Sequence, residues 1–174
     1  MTLNRKKDIL EKINAIVDRN VLKGNVDIVK LAISNGFYVC KLKEGADIKG
    51  VILVDERSSE CLPNNKVIAF KSELSEKENR FIIAHELGHY FLHYKKDDNL
   101  PFVYTYHYER TDTVAEEEAD FFATNLLVPE QEYKNKCNEL GKLRATEFGI
   151  QYLSDYFNVS DRCIRKRYIE IYGE

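Results

Sequence analysis

The sequence predicts an α+β protein, a small mixed β-sheet packed with helices around one His-Glu-x-x-His helix, with a mostly helical C-terminal extension. Three observations predict it. Apolar residues recur at helical spacing near both ends of the chain, short β-branched runs fall between residues 37 and 70, and a long capped helix follows them.

The elements follow in order. Leu3, Ile9, Leu10, Ile13, Ile16 and Val17 mark a first helix over residues 3 to 19, and a second runs from Asn25 as cap to the Ser34-Asn35-Gly36 stop. "FYVCKL" (37 to 42), "IKGVILVD" (48 to 55) and "KVIAF" (66 to 70) read as strands bounded by Gly, Asn, Asp and Pro. Ser75 stands three residues before Glu78, a capping box that opens a helix reaching about Tyr94. Residues 95 to 111 read as a loop whose aromatic middle is a strand or a lid. From about Asp112 helical spacing resumes through Val114, Ala119, Phe122, Ala123, Leu126 and Leu127 until Pro129 stops it. Residues 131 to 174 are helical, broken at Gly141-Lys142 and at "NVS". We therefore expect one domain over 1–130 and a helical segment over 131–174.

Composition narrows the function. With 44% hydrophobic and 32% charged residues the chain has the balance of a soluble globular protein, and its net charge of −3 gives no overall footprint for coating nucleic acid. The first residues alternate charge and aliphatic side chains and lack the unbroken apolar stretch of a secretory signal, and no segment is long and apolar enough to span a membrane. The expected location is cytoplasmic. Cys40, Cys61, Cys137 and Cys163 are widely scattered with no CxxC pair, which fits reduced, mostly buried thiols.

The helix over 75 to 94 carries the chemistry. His85, Glu86 and His89 form His-Glu-x-x-His. Residues i and i+4 of a helix differ by about 40° in rotation and ~6 Å in rise, so two imidazoles project side by side and can share one cation. Glu86, turned about 100° from His85, is placed to act on a water at the metal's open position as general base. The composition makes a chance match of this pattern roughly a one-in-a-hundred event, so a zinc site outweighs histidines that merely hydrogen-bond in a core.

A catalytic zinc requires a third protein ligand. His93 lies about 12 Å along the helix axis from His85, too far to share the ion, and is expected to hydrogen-bond behind a ligand or to be a plain histidine. The segment "EEEADFFA" supplies the better candidate. Acids favour a helix N-terminus through its dipole, but phase separates them. Glu116 lies three residues before Ala119 and four before Asp120, on the face that buries, and Ala there lets two helices approach closely. Glu116 is thus expected as the ligand and Asp120 behind it, accepting a hydrogen bond from a ligating imidazole. Glu117 and Glu118 are expected to face mainly outward.

These residues resemble the ImmA/IrrE-type zinc metalloendopeptidases, whose pattern is a His-Glu-x-x-His helix followed by Glu-x-x-Ala-Asn/Asp-x-Phe-Ala and Leu-Leu-x-Pro. Glu116, Ala119, Asp120, Phe122, Ala123, Leu126, Leu127 and Pro129 fill those positions. The resemblance implies a gluzincin-like fold with one zinc ion on two His and one Glu. It also implies a site-specific endopeptidase that cleaves a partner repressor, often one with a helix-turn-helix domain, in a stress or mobile-element switch.

Two features stay open at this level. "YTYHYER" offers Tyr104, Tyr106, His107, Tyr108 and Arg110 as oxyanion donors or as an aromatic wall, with no assignment among them. Leu153, Tyr156, Phe157, the "NVS" turn and the basic Arg162, Arg165, Lys166 and Arg167 outline a helix-turn-helix. A helical hairpin packed on the core is favoured over nucleic-acid binding because the rest of the chain is acidic. The rival to the peptidase reading is a non-proteolytic regulator that binds DNA or a protein on the same scaffold.

Overall fold

A computed structural model describes residues 1–20, 26–55, 65–96, 101–107 and 113–173. Helix α1 (Leu3–Asn20) follows the expected spacing and buries Ile9 and Ile13. Helix α2 (Ile28–Ser34) is capped by Asp27, whose carboxylate accepts the Lys30 N–H at 3.0 Å; Asn25, the expected cap, lies outside the described residues. Gly36 then turns the chain at φ +86°, a conformation that suits glycine.

The sheet comprises β1 (Tyr38–Lys41), β2 (Ile48–Val54), β3 (Lys66–Phe70) and β4 (Phe102–His107) in the order β1-β3-β2-β4. β1 runs parallel to β3, whereas β2 is antiparallel to both β3 and β4, so the sheet is mixed. The aromatic segment that had two readings is therefore a strand. Alternation along β2 buries Gly50, Ile52 and Val54 on one face, as a half-covered sheet requires.

Helix α3 (Glu76–His93) lies against that face. The Ser75 hydroxyl accepts the Glu78 N–H, and the Glu78 carboxylate accepts the Ser75 N–H at 3.1 Å, completing the capping box. Residues 82 to 89 of α3 are all buried, so this stretch has no solvent face; it is clasped between the sheet and helix α4 (Val114–Leu127). Thr113 caps α4 by accepting the Glu116 N–H. The helix ends at Leu127, and Pro129 caps α5 (Glu130–Leu140).

A 3₁₀ turn (Gly141–Ala145) falls at the expected break, followed by α6 (Glu147–Phe157) and α7 (Asp161–Tyr172). Asn158 takes the left-handed conformation between them and Ser160 caps α7. Tyr133, Cys137, Leu153, Phe157 and Ile164 share one apolar cluster with Ile9, Ile83 and Leu126, so the C-terminal helices complete the same core. Cys40, Cys137 and Cys163 are free thiols; Cys61 lies outside the described residues. Among the described residues no helix is long and apolar enough to cross a membrane.

Gly50 fixes how closely the sheet approaches α3. A Cβ there would stand 2.3 Å from Ile82 Cγ2 and 3.1 Å from Glu86 Oε1. Gly50→Ala is therefore expected to destabilise the protein by about 1–3 kcal/mol, as overpacking does, and urea unfolding monitored by circular dichroism measures the loss.

Candidate metal centre

His85 and His89 face one another across one turn of α3, with their Nε2 atoms 3.0 Å apart. Glu116, in the first turn of α4, reaches both. Its Oε2 is 3.2 Å from His85 Nε2 and its Oε1 3.2 Å from His89 Nε2. These donor atoms all lie within 4.8 Å of one another, which makes His85, His89 and Glu116 a possible metal site. Two imidazole nitrogens and a carboxylate suit a borderline divalent ion. Both rings are buried, and a neighbouring carboxylate, Glu86, is 0% exposed with neither oxygen making a well-formed hydrogen bond. So much buried polar chemistry calls for a compensating charge, and a cation would supply it.

Small residues make the convergence possible. A Cβ on Gly88 would lie 3.1 Å from Ala119 Cα and 3.2 Å from Ala119 O. The two backbones thus meet where neither helix carries a side chain larger than methyl, and Glu116, three residues before Ala119, is brought over the imidazoles. Asp120, one turn further, places Oδ1 3.0 Å from His85 Nδ1 and Oδ2 3.2 Å from Lys166 Nζ on α7.

His93 stands outside the donor cluster. Its Nδ1 is 3.2 Å from His89 Nδ1 and its Nε2 3.0 Å from Glu118 Oε2. The expectation that Glu118 faces outward fails: it is 6% exposed and receives the Arg5 guanidinium through two bonds of 2.7 Å. Helix α1 crosses α4 at this point and covers it, a contact that the local pattern of charges does not reveal. Glu117 is exposed, as expected.

Aromatic rings from β4 close the other side. Tyr106 lies 4.4 Å from the His85 ring and Tyr104 stacks on His89 at 4.0 Å. Two residues of strand advance ~6.7 Å and four residues of helix ~6 Å, so alternate tyrosines match successive histidines. His107 is exposed and pairs with Thr105 Oγ1 at 2.8 Å; Tyr108 and Arg110 lie outside the described residues. A pocket beside the cluster is lined by Phe81, Tyr106, Glu116 and Asp120, with Lys49, Arg162 and Lys166 contributing positive charge.

The electrostatics follow from these contacts. Burial opposes a charge on His85, yet hydrogen bonds to Asp120 and Glu116 outweigh it and raise its pKa to about 9. Burial also opposes ionisation of Glu116, but the two imidazoles hold it down at about 2. Glu86 is pushed up to about 8, first by burial, with His85 and the Tyr106 backbone N–H offsetting part of the rise. Burial lowers His89. Hydrogen bonding to Arg5 comes first in holding Glu118 at about 2. The Cys163 thiol beside the pocket is raised by burial to about 12, which leaves it unreactive.

The basic residues of α7 are largely spent within the chain. Arg165 pairs with Glu147, Lys166 with Asp120, and Arg167 is buried and donates to the Val128 carbonyl at 3.0 Å. Arg162 is exposed at the pocket lip. Sequence reasoning missed Arg5, Glu118 and Lys166 as participants; Glu118 stood out only as an outward-facing acid and Lys166 only as part of a basic helix.

The family model of Peptidase_M78, described as the IrrE N-terminal-like domain, matches residues 39–168. No curated protein matches the chain.

The Gly88–Ala119 contact predicts the outcome of one substitution. Gly88→Ala forces the two backbones apart by a few tenths of an ångström, drawing Glu116 from the histidines. Loss of about 1–3 kcal/mol in thermal unfolding, together with weaker binding of divalent ions in calorimetry, is the expected result.

Proposed function

The chain belongs to the IrrE N-terminal-like peptidases, and on that premise we propose that it is a zinc-dependent endopeptidase in which His85, His89 and Glu116 hold one ion. The observation that carries this reading is the convergence of those three side chains beside a buried carboxylate. Zinc held there supplies Lewis acidity, polarising a peptide carbonyl and acidifying water.

The remaining steps belong to the chain's own residues. Glu86 takes a proton from the attacking water as its oxygen bonds to the peptide carbon, and returns that proton to the nitrogen when the C–N bond breaks. Without an ion, burial pushes Glu86 up to about 8 and favours its protonated form at neutral pH; a cation beside it would favour the carboxylate that acts as base. Asp120 accepts the Nδ1–H of His85, which keeps the Nε2 lone pair directed at the cluster. Lys166 in turn fixes Asp120.

The substrate is a protein, and the resemblance of "HELGHYFLH" and "EEEADFFATNLLVP" to the ImmA/IrrE pattern supports a helix-turn-helix repressor as the partner, cleaved in a cytoplasmic stress or mobile-element switch. DNA binding through α7 is not favoured, because Arg165, Lys166 and Arg167 are engaged within the chain.

Metal analysis of purified protein tests the ligand set. Wild type is expected to hold one zinc per chain, while His89→Ala and Glu116→Ala lose it. Full zinc content in Glu116→Ala overturns the assignment. Glu86→Gln is expected to retain zinc while cleavage of the partner falls at least a hundredfold.

Zinc binding is also expected to depend on pH. The metal-free pKa of His85 is raised to about 9, so below that pH a proton must leave before Nε2 can bind. Apparent affinity should therefore rise from pH 6 toward 9 with net proton release, measured by calorimetry in buffers of different ionisation enthalpy.

A further inference from the structure

The anchoring of His89 runs further than that of His85. His85 meets a carboxylate directly, whereas His89 meets another histidine, and the direction of every bond beyond it can be deduced. His89 Nε2 is the atom facing His85 and Glu116, so it offers a lone pair to an ion only if the ring proton sits on Nδ1. That N–H points at His93 Nδ1, 3.2 Å away, which must accept it. His93 then carries its own proton on Nε2 and donates it to Glu118 Oε2 at 3.0 Å, a carboxylate that can only accept. Arg5 grips both oxygens of that carboxylate, Nε to Oε1 and Nη2 to Oε2, each at 2.7 Å.

We propose that Arg5 is a positioning residue for the metal centre: by clamping Glu118 it fixes the tautomer of His93, and His93 in turn holds His89 with Nε2 presented to the ion. The inference rests on the zinc reading above. Arg5 lies on α1, outside the stretch 39–168 that matches the family, so the relay draws a helix beyond the matched region into the site. No other proton arrangement satisfies all three contacts while leaving His89 Nε2 unprotonated. A proton on His93 Nδ1 would force its counterpart on His89 to Nε2, where an ion cannot bind. The forked bidentate grip suits arginine, since an ammonium cannot hold both oxygens in one plane.

Zinc affinity, read by competition with a chromophoric chelator, tests the relay through a double-mutant cycle. Arg5→Met is expected to weaken Zn²⁺ binding about tenfold, the lower range for an outer partner of a ligand, and Arg5→Lys less. In a His93→Phe background the same Arg5 changes should cost nothing more, because the link to His89 is already cut. A residue that merely ties α1 to α4 would cost the same in both backgrounds, and that result overturns the proposal, as does an Arg5→Met affinity within twofold of wild type. Should Arg5→Met fail to fold, Arg5→Lys completes the cycle. Independently, ¹⁵N-histidine spectra of zinc-loaded wild type should show His93 protonated on Nε2; protonation on Nδ1 refutes the relay. A wild-type protein that binds no Zn²⁺ removes the metal reading itself, whereas zinc lost in His89→Ala but unaffected by Arg5→Met sinks the relay alone.

Discussion

A single carboxylate bridging two buried imidazoles between two packed helices is the interaction around which this protein is arranged. Glu116 can touch both His85 and His89 because Gly88 and Ala119 let the backbones of α3 and α4 approach closely. The same proximity buries both imidazoles, which raises the cost of every unpaired charge there and makes each neighbouring contact consequential. Sheet, caps and terminal helices can all be understood as holding that contact in place. The sheet presses on α3 through Gly50, the capping box at Ser75 and the Thr113 cap set where α3 and α4 begin, and cations from α1 and α7 neutralise the outer carboxylates.

Much of this was legible in the amino-acid order, and the reasons are local. Ser75 with Glu78 and the stop at Pro129 act within a few residues, so α3 and the end of α4 fall where expected. The phase of Glu116 against Ala119 and Asp120 is a property of one helix, and both acids lie on the side of α4 that meets the histidines. The same reasoning failed for Glu118, because what covers it is α1, more than a hundred residues away in sequence. Periodicity within α4 cannot report a partner that arrives from elsewhere. The aromatic strand β4 was ambiguous for a related reason: its identity depends on pairing with β2, and nothing inside the segment specifies that partner. The cap at Asp27 is a milder case, since both Asn and Asp cap helices and spacing alone does not choose.

The C-terminal helices show how a familiar outline can mislead. A turn at Asn158, a capping Ser160 and a basic final helix have the shape of a nucleic-acid reader, yet Arg167 is buried against the Val128 carbonyl and Lys166 points inward at Asp120. Charge counted along a helix says nothing about whether those charges face water. Here Lys166 and Arg167 turn toward the chain while Arg162 and Arg165 stay exposed, and the apolar side of the same helices adds Leu153, Phe157 and Ile164 to the core that supports α3.

The tyrosines of β4 carry a consequence of their own. Tyr104 pairs with Ile52 and Tyr106 with Gly50 in the ladder, and those pairings decide which side chains overhang α3. Strand and helix advance by slightly different steps, like the two scales of a vernier, and coincide here over only two rungs; Phe102 has already drifted to Tyr94. A slip of one rung would turn Val103 and Thr105 inward and leave the imidazoles open to solvent. The hydrogen-bond ladder of an outer strand thus sets how wet the interior can become.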